Sequence, residues 1–346
     1  MSARGPLHDV RVLELAGLGP VPFAGMMFAD MGADVILIDR RNTNPNQAET
    51  TTATSGASAL YNRGKRSIAV DLKAEGAKQA VLKLVETADL LIEGYRPGVM
   101  ERLGLGPEVC HGVNPGLVYG RMTGWGQSGP LAQAAGHDIN YIALAGALYY
   151  AGADDAVPFT PPTLVGDVAG GAMSLAFGMM AALHRVRAGE PGQVVDAAIC
   201  DGTAYLTSLM HAAQKGGLLS DDKTENFLTG ASPWYNSYLC KDGKHITVGA
   251  LEPSFYRQLI AGCGLEDDPD FADQMDKSRW PAARKTLAAL FASESQDHWC
   301  ERFEGTDVCF APVLTLNEAA AHPHMVHRKT FVENEGSLQP APAPRL

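Results

Sequence analysis

The cysteines of the sequence form no regular framework. The chain has no CxxC pair, and its six cysteines lie far apart, at positions 110, 200, 240, 263, 300 and 309. Disulfide-rich secreted domains and zinc sites use closely and regularly spaced cysteines. We therefore expect these cysteines to be buried free thiols in a protein of a reducing compartment.

Positive charge is in deficit. The chain has 28 Lys and Arg against 39 Asp and Glu, which gives a formal net charge of −11. A general nucleic-acid binder needs an excess of cations to meet the phosphate backbone. The composition argues against that class, and it requires any bound phosphate group to be met by a local cluster of basic residues.

Long apolar runs are also lacking. No uninterrupted apolar segment reaches the ~20 residues that a membrane span requires, and no basic segment followed by an apolar one marks a signal peptide at the N-terminus. Internal repeats are absent from the sequence. We expect a protein without a membrane partner, located in the cytoplasm.

What the sequence does have is an alternation of strands and helices. With 346 residues, 46% of them hydrophobic and 19% charged, the chain has the composition of a folded globular protein. In its first part, helical segments separate the short apolar runs VRVLELA, DVILID, SIAVDL, DLLIEG and GLVYGRM. Strands that alternate with helices predict an α/β domain with a parallel sheet and helices on its faces.

The second part has a different pattern. A long apolar helix is predicted over Gly170–Arg187, and a polar, glycine-rich connection over residues 216–232. The stretch WYNSYLCKDGKHITVGA then predicts a strand pair with KDGK as its turn, and it is followed by helical segments. The proline-rich end, LQPAPAPRL, predicts extended or flexible chain.

The first turn resembles a dinucleotide-binding fingerprint, but it fails at the spacing. After Gly17 and Gly19 the third glycine is due at position 22, where the chain has Pro22. Pro20 and Pro22 also remove two backbone donors that would hold a pyrophosphate. A nicotinamide cofactor is therefore not expected. No metal site is expected either, because HPHMVH near the C-terminus has no acidic or cysteine partner at ligand spacing.

Two short stretches concentrate residues suited to proton transfer. AGHDINY sets His137 beside Asp138 after a glycine-rich run, and PTLVGDVAGG sets Asp167 between glycines. Each has a structural interpretation, since the first is also typical of a capped helix start and Asp is a favoured N-cap residue. From these residues alone both interpretations stay open.

A set of basic residues follows the predicted strands. Ligands of open α/β sheets bind at the carboxyl ends of the strands, so this set predicts a basic rim for phosphate groups. A solvated surface face is the alternative interpretation for each single residue. The set comprises Arg40, Arg63, Lys65, Arg66, Lys73, Arg96 and Arg102.

Several motifs together resemble those of family III coenzyme A transferases and, within that family, the branch of α-methylacyl-CoA racemases. The resemblance extends over nearly the whole chain, and it is specific in combination rather than in any one motif. GHDINY with the downstream GD and LEP distinguishes the racemase branch from the transferases. The motifs are VRVLELAGLGPVPFAGMMFADMGADVI, YNRGKRSIAVDLK, DLLIEGYRPGVMERLGLGP, GHDINYIALAGAL, PTLVGDVAGGAM, GQVVDAAICDG and ALEPSFY.

The resemblance implies roles for individual residues. His137 and Asp167 match the paired acid and base, Glu252 matches a carboxylate close to that histidine, and Asp138 matches its neighbour. The second strand ends in IDRR, so Arg40 and Arg41 both stand where the nucleotide contact is implied. The implied coenzyme A contacts are Arg40, Val70, Asp71, Leu72, Lys73, Gly94, Tyr95, Arg96, Arg102, Gly136 and Tyr141.

The implied reaction inverts the carbon next to a thioester carbonyl. His137 would take a proton from one face, Asp167 would return one to the other, and an enolate would lie between; backbone N–H groups near Gly170 would receive its oxygen. A transferase that uses Asp167 as its nucleophile is one alternative. A non-catalytic coenzyme A binder is another.

The resemblance also implies architecture and partners. A large Rossmann-like parallel-sheet domain over residues 1–215 would continue through the connection at 216–232 to a smaller α+β domain at 233–310. Residues 311–346 would return to the large domain and end in a flexible tail. Two chains would interlock as a homodimer, with Glu252 reaching His137 across the subunit boundary. The substrate would be an acyl-CoA thioester, without a metal or a prosthetic group.

Overall fold

The computed structural model describes residues 5–39, 60–152, 157–334 and 336–346. The chain divides into two compact units. The first comprises Met1–Leu148, Pro161–Ser208 and Pro342–Leu346, and the second comprises Tyr149–Thr160 and Leu209–Ala341. Residues 311–341, expected with the large domain, thus cluster with the second unit.

The first unit is built on a parallel sheet, as the alternating sequence pattern predicts. Among the described residues its six strands have the order β3-β2-β1-β4-β5-β6. This is the Rossmann-type order, which reverses direction between β1 and β4 and leaves a crevice there at the carboxyl ends of the strands. The strands are β1 Arg11–Leu15, β2 Asp34–Asp39, β3 Arg66–Ala69, β4 Leu90–Glu93, β5 Val118–Thr123 and β6 Val194–Ala198.

Alternate residues of the central strands enter different cores. On β4, Leu90 and Ile92 pack into one apolar cluster, and Leu91 packs into the other. Successive side chains of a strand point to opposite faces, so a strand that is buried on both faces must be apolar throughout. This explains the apolar run Leu90–Ile92 of β4; the fourth residue of the strand, Glu93, is charged and also buried.

Helices cover both faces of this sheet. The helix α1 begins with prolines at its first and third positions, where a missing N–H removes no helical hydrogen bond. The helices of the first unit are α1 Pro20–Asp30, α2 Ala77–Val85, α3 Val99–Arg102, α4 Pro107–Val113, α5 Asp138–Leu144, α6 Ser174–Arg187 and α7 Ile199–Leu206.

The helix predicted from Gly170 begins earlier. A π-helical segment, Leu164–Met173, precedes α6 without a break, and its first wide turn is closed by the Val168 N–H, which donates to the Thr163 carbonyl at 3.1 Å. The π-helical segment packs closely on α7, where a Cβ at Gly202 would lie 1.8 Å from the Gly170 carbonyl oxygen. Only glycine allows this approach of two backbones.

Within the described part of the chain, one helix, Leu164–Arg187, has the length and composition of a membrane span. Its Leu175, Met179 and Leu183 are buried in the apolar cluster against the sheet, while Phe177 is exposed. A single helix of this kind is weak evidence for a membrane span, because the core helix of a globular protein passes the same test.

The second unit has its own sheet and core. Among the described residues it has a three-stranded antiparallel sheet, in which the predicted hairpin is β7 and β8. A second strand pair includes part of the proline-rich end. The elements are β7 Tyr235–Leu239, β8 His245–Gly249, β9 Phe310–Val313, β10 Phe331–Asn334, β11 Ser337–Pro340, α8 Ser208–Lys215, α9 Pro253–Cys263, α10 Trp280–Phe291, α11 Gln296–Phe303, α12 Leu316–Ala321 and α13 Pro323–His327.

All six cysteines are free, as the sequence predicts, but only Cys110 and Cys240 are buried. The others are partly accessible, and Cys309 is exposed. In the described ranges no group of three or more His, Cys, Asp or Glu side chains is arranged to hold a metal ion. His322 of the HPHMVH segment instead pairs with Glu304 at 2.7 Å.

Candidate active site

His137 occupies the N-cap position of α5. Its backbone is extended, with φ −134° and ψ 173°, and its N–H donates to the Asn140 side-chain oxygen at 3.0 Å. The side chain of His137 is exposed and lines a pocket at the carboxyl end of the sheet. The stretch AGHDINY is therefore both a capped helix start and a place where an imidazole faces a pocket.

Asp138 joins α5 to the π-helical segment. Its side chain is buried, and its Oδ1 accepts the backbone N–H of Asp167 at 2.7 Å. That N–H precedes the first backbone hydrogen bond of the π-helical segment, so it has no helical acceptor and needs another partner. Asp138 meets this need and so sets the distance between the two helices that carry His137 and Asp167.

Asp167 is a partly buried carboxylate in the first turn of the π-helical segment. Burial raises its pKa to about 6, the negative charge of Asp138 adds to the rise, and the nearby His137 opposes it. At pH 7 roughly a tenth of this carboxyl group carries a proton, far more than an ordinary aspartate. Asp167 can therefore both give and take a proton near neutral pH.

Gly19 faces the carboxylate of Asp167. It is the N-cap residue of α1 and has φ +65°, in the left-handed region. A Cβ at this position would lie 3.3 Å from Asp167 Oδ2. Both the backbone conformation and the nearby carboxylate oxygen therefore favour glycine here.

The pocket beside His137 has a volume of about 310 Å³, within the range of small-molecule sites. Trp125 and Tyr141 form one wall, with their rings edge to face and 4.7 Å apart. The Tyr141 hydroxyl donates to the Gly136 carbonyl. The lining residues are Gly94, Tyr95, Arg96, Pro97, Thr123, Gly124, Trp125, Ala132, Ala134, Ala135, Gly136, His137 and Tyr141.

The structure brings together about half of the predicted coenzyme contacts. Those in the pocket wall are Gly94, Tyr95, Arg96, Gly136 and Tyr141. Three of them follow β4, Gly136 precedes α5 and Tyr141 lies within α5, near the switch point where the strand order reverses.

The other predicted contacts that the structure describes do not line this pocket. The segment Val70–Lys73 follows β3, where the Val70 N–H donates to the Asp39 carbonyl at 2.8 Å, and it includes Asp71 and Leu72. Arg102 is exposed at the end of α3. Arg40 lies outside the described residues, and so does Arg41.

The expectation of a rim is wrong for Arg63 and Lys65, because their side chains are largely buried in pairs with carboxylates. Arg66 also meets a carboxylate, but it is exposed and shares Asp34 with Arg11. The pairs are Arg63 with Asp30 at 2.6 Å, Lys65 with Glu14 at 2.6 Å and Arg66 with Asp34 at 2.6 Å.

The enolate-binding amides expected near Gly170 also need correction. The helix begins at Leu164, so the backbone around Gly170 lies inside the helix rather than at its N-terminus. The N–H of Asp167, in the first turn, is occupied by Asp138.

Glu252 belongs to the second unit. It is exposed at the N-cap position of α9, and its charge contributes, after burial, to raising the pKa of the Cys309 thiol. The structure of this one chain therefore assigns Glu252 a place but no partner in the candidate site.

Sequence reasoning missed a buried charged network under the pocket wall. Glu93 ends β4 and Arg121 lies in β5, and both are almost fully buried. The signal was present, since a Glu closes the apolar run DLLIEG and an Arg interrupts GLVYGRM. Buried charges at the ends of central strands require partners, and such partners mark a site.

A family model described as CoA-transferase family III matches residues 7–346. The chain is similar to α-methylacyl-CoA racemase of Mus musculus, with 42% identity over 342 residues, 98% of this chain and 86% of that protein. The identity to α-methylacyl-CoA racemase of Homo sapiens is 41% over the same shares. A CaiB/BaiF family protein from Brucella suis has a similar structure, with a TM-score of 0.81, 25% identity, and coverage of 99% of this chain and 93% of that one.

Proposed function

Because the chain belongs to CoA-transferase family III, we propose that it interconverts the (2R) and (2S) forms of 2-methylacyl-CoA thioesters. The reaction is a 1,1-proton transfer through an enolate. The observation that carries the proposal is that His137 lies near enough to act on the charge of Asp167, whose pKa is raised to about 6. The similarity to racemases of mouse and human over 98% of the chain supports it.

Inversion next to a thioester requires two groups on opposite sides of the α-carbon. In one direction neutral His137 takes the α-proton and protonated Asp167 delivers a proton to the other face; in the reverse direction they exchange roles. The two active forms are neutral His137 with protonated Asp167 and protonated His137 with ionised Asp167. In each form the pair holds one titratable proton. A carboxyl group with its pKa near 6 serves this exchange better than one near 4, because it is closer in proton affinity to an imidazole.

Asp138 and Glu252 support this pair. Asp138 holds the amide of Asp167 and keeps a negative charge beside its carboxylate. Glu252 orients the imidazole of His137 from a second copy of the chain, in a homodimer that remains part of the proposal. The predicted contacts in the pocket wall, with Arg96 as their cation, bind the coenzyme A part of the substrate.

The chemistry of the substrate makes further groups unnecessary. A thioester carbonyl acidifies the α-carbon and takes the negative charge of the enolate, so we assign no metal and no prosthetic group. Location in the cytoplasm remains a prediction that follows from the free thiols.

The rival function is transfer of coenzyme A between carboxylic acids with Asp167 as the nucleophile. Asp167, with its pKa raised to about 6, is mostly ionised at pH 7 and could serve either reaction. A transferase, however, has no use for an imidazole at the position of His137. The presence of His137 therefore favours racemisation.

The test is incubation of one epimer of a 2-methylacyl-CoA in deuterated water, without an acceptor acid, followed by proton NMR. We expect loss of the α-proton signal together with formation of the other epimer. His137→Ala and Asp167→Ala should each slow the exchange by roughly 10²–10⁴-fold. An absence of exchange, with coenzyme A transfer once free carboxylates are added and a hydroxamate trapped from Asp167, would establish the transferase instead.

A further inference from the structure

We propose that Arg121 and Glu101 are positioning residues for coenzyme binding, because they hold the loop of residues 94–98 that forms one wall of the pocket. This inference rests on the proposed function, since it takes coenzyme A as the ligand of that wall. Neither residue lines the pocket. They act on the ligand only through the loop.

Glu93 fixes the beginning of the loop. It is fully buried at the end of β4, and its Oε2 accepts the backbone N–H of Tyr95 at 2.7 Å. Its Oε1 accepts Arg121 Nε at 3.0 Å from the adjacent strand, where the two residues are register partners. The conformation of the loop at Tyr95 is thus tied to the guanidinium of Arg121.

Glu101 fixes the end of the loop to the same guanidinium. It lies in α3, directly after the loop, and accepts Arg121 Nη1 at 2.8 Å and Nη2 at 3.2 Å. Such a two-pronged contact restrains both distance and orientation. The loop is therefore closed at its base by one Arg121 side chain that bridges Glu93 before it and Glu101 after it.

The far side of the loop has a weaker restraint. The Gln133 amide donates to the Pro97 carbonyl at 3.1 Å. Arg96, between these fixed points, is exposed and has no ion pair with any residue that the structure describes. An unpaired guanidinium on a firmly held loop suits an anionic ligand, because little loop entropy is lost when the ligand binds.

The charges show why the bridge acts as a unit. Burial favours the neutral form of Arg121, but hydrogen bonds and charges of Glu101 and Glu93 outweigh it, so the pKa of Arg121 is raised. Burial also raises the pKa of Glu93. Loss of Glu101 leaves Arg121 with one carboxylate and releases the end of the loop, so that Arg96 is held less firmly.

A double-mutant cycle with free coenzyme A tests the proposal. The dissociation constant is measured by titration calorimetry for the wild type, Glu101→Ala, Arg96→Ala and the double variant. We expect a roughly tenfold rise in the dissociation constant for each single variant. In the double variant the rise should not exceed that of Arg96→Ala, because Glu101 acts through Arg96. Glu101→Gln, which keeps a hydrogen-bond acceptor, should give a smaller rise.

The matched control is Glu108→Ala, which removes an exposed carboxylate from α4, close in sequence to Glu101. It should bind coenzyme A as the wild type does. Melting temperatures show whether each variant is folded. If Glu101→Ala does not fold, Glu101→Gln takes its place in the cycle. Unchanged binding by Glu101→Ala, or additive effects in the cycle, would overturn this inference alone. A wild type that does not bind coenzyme A would overturn the proposed function as well.

Discussion

The backbone N–H of Asp167 donates a 2.7 Å hydrogen bond to the carboxylate of Asp138, the residue that directly follows His137. One carboxylate thus links the two candidate acid/base residues without being one of them. It also places a negative charge next to Asp167, which helps to raise the pKa of that side chain.

Asp138→Asn should move the pH dependence of the reaction. The asparagine oxygen can still accept the Asp167 N–H, but the like charge is gone, so the pKa of Asp167 falls from about 6. The measurement is kcat/KM for α-proton exchange against pH. The limb that Asp167 governs, near pH 6 in the wild type, should move to lower pH.

Both directions of the reaction should give the same kcat/KM profile, since the equilibrium between the epimers does not depend on pH. This provides an internal control for the Asp138→Asn experiment. A limb that stays in place in the variant would show that the charge of Asp138 has no effect on Asp167.

Asp167→Asn should be inactive and yet more stable than the wild type at alkaline pH. The folded-state pKa of Asp167 is raised from 3.8 to about 6. Its contribution to the free energy of unfolding is therefore fully present below pH 3.8, the pKa of an ordinary aspartate in the unfolded chain. This contribution is lost as the pH rises through the folded-state pKa of about 6. Replacing it with a neutral side chain should raise the free energy of unfolding by about 1–2 kcal/mol at pH 8, after allowance for solvent screening.

Urea unfolding of the wild type and Asp167→Asn at pH 5 and pH 8 measures this effect. The difference between the two proteins should be larger at pH 8. An equal difference at both values would contradict the raised pKa.

Gly19→Ala should reduce exchange while the protein stays folded. The φ of +65° disfavours any side chain by about 1–2 kcal/mol, and the new Cβ would lie 3.3 Å from Asp167 Oδ2. The carboxylate or the turn must then move. We expect the exchange rate to fall at least tenfold in the NMR assay.

Gly17→Ala is the matched control for this variant. It lies in the same turn, but its Cβ would meet other atoms only at 3.8 Å, an ordinary contact distance. Equal losses in Gly17→Ala and Gly19→Ala would indicate a general sensitivity of the turn rather than an effect on Asp167.

Lys65→Met should be strongly destabilising. Lys65 and Glu14 are almost fully buried, and Lys65 Nζ also donates to the Pro22 carbonyl at 3.0 Å. Removing the cation leaves Glu14 buried without its partner, which typically costs about 3–5 kcal/mol. Burial already raises the pKa of Glu14 to about 7. The loss of stability should therefore be smaller at pH 5, where Glu14 is protonated, than at pH 8.

Arg66→Met provides the comparison. Arg66 also pairs with a carboxylate, but its side chain is 65% exposed, so its loss should change the free energy of unfolding by about 1 kcal/mol or less. Chemical denaturation of both variants at pH 5 and pH 8 measures these changes in the free energy of unfolding. Similar effects of the two variants would argue against a buried pair.

Local pattern was sufficient to predict much of the fold. Five of the six described strands of the parallel sheet, β1 to β5, coincide with apolar runs in the sequence, and KDGK marks the hairpin of the second unit. The sixth strand, β6, was not predicted from its sequence, VVDAA. The start of the helix that bears Asp167 did not follow from pattern, because the wide first turn depends on Thr163 and on Asp138, which lies far away in sequence.

The candidate site was predicted in part for the same reason. His137, Asp167 and the loop around Arg96 lie in motifs that can be read locally. The roles of Arg63, Lys65 and Arg66 depend on carboxylates more than thirty residues away, which no local pattern reveals. A basic cluster in a sequence therefore indicates charge, whereas only the fold shows which of those charges are already neutralised.

The π-helical segment gives the position of Asp167 a tolerance to shortening. A wide turn accommodates more residues per turn than an α-helix does. Deleting one residue between Asp167 and α6 would let the segment relax to α-helical spacing, so the carboxylate would stay on nearly the same side of the helix axis. In a regular α-helix the same deletion would rotate the side chain by about 100°.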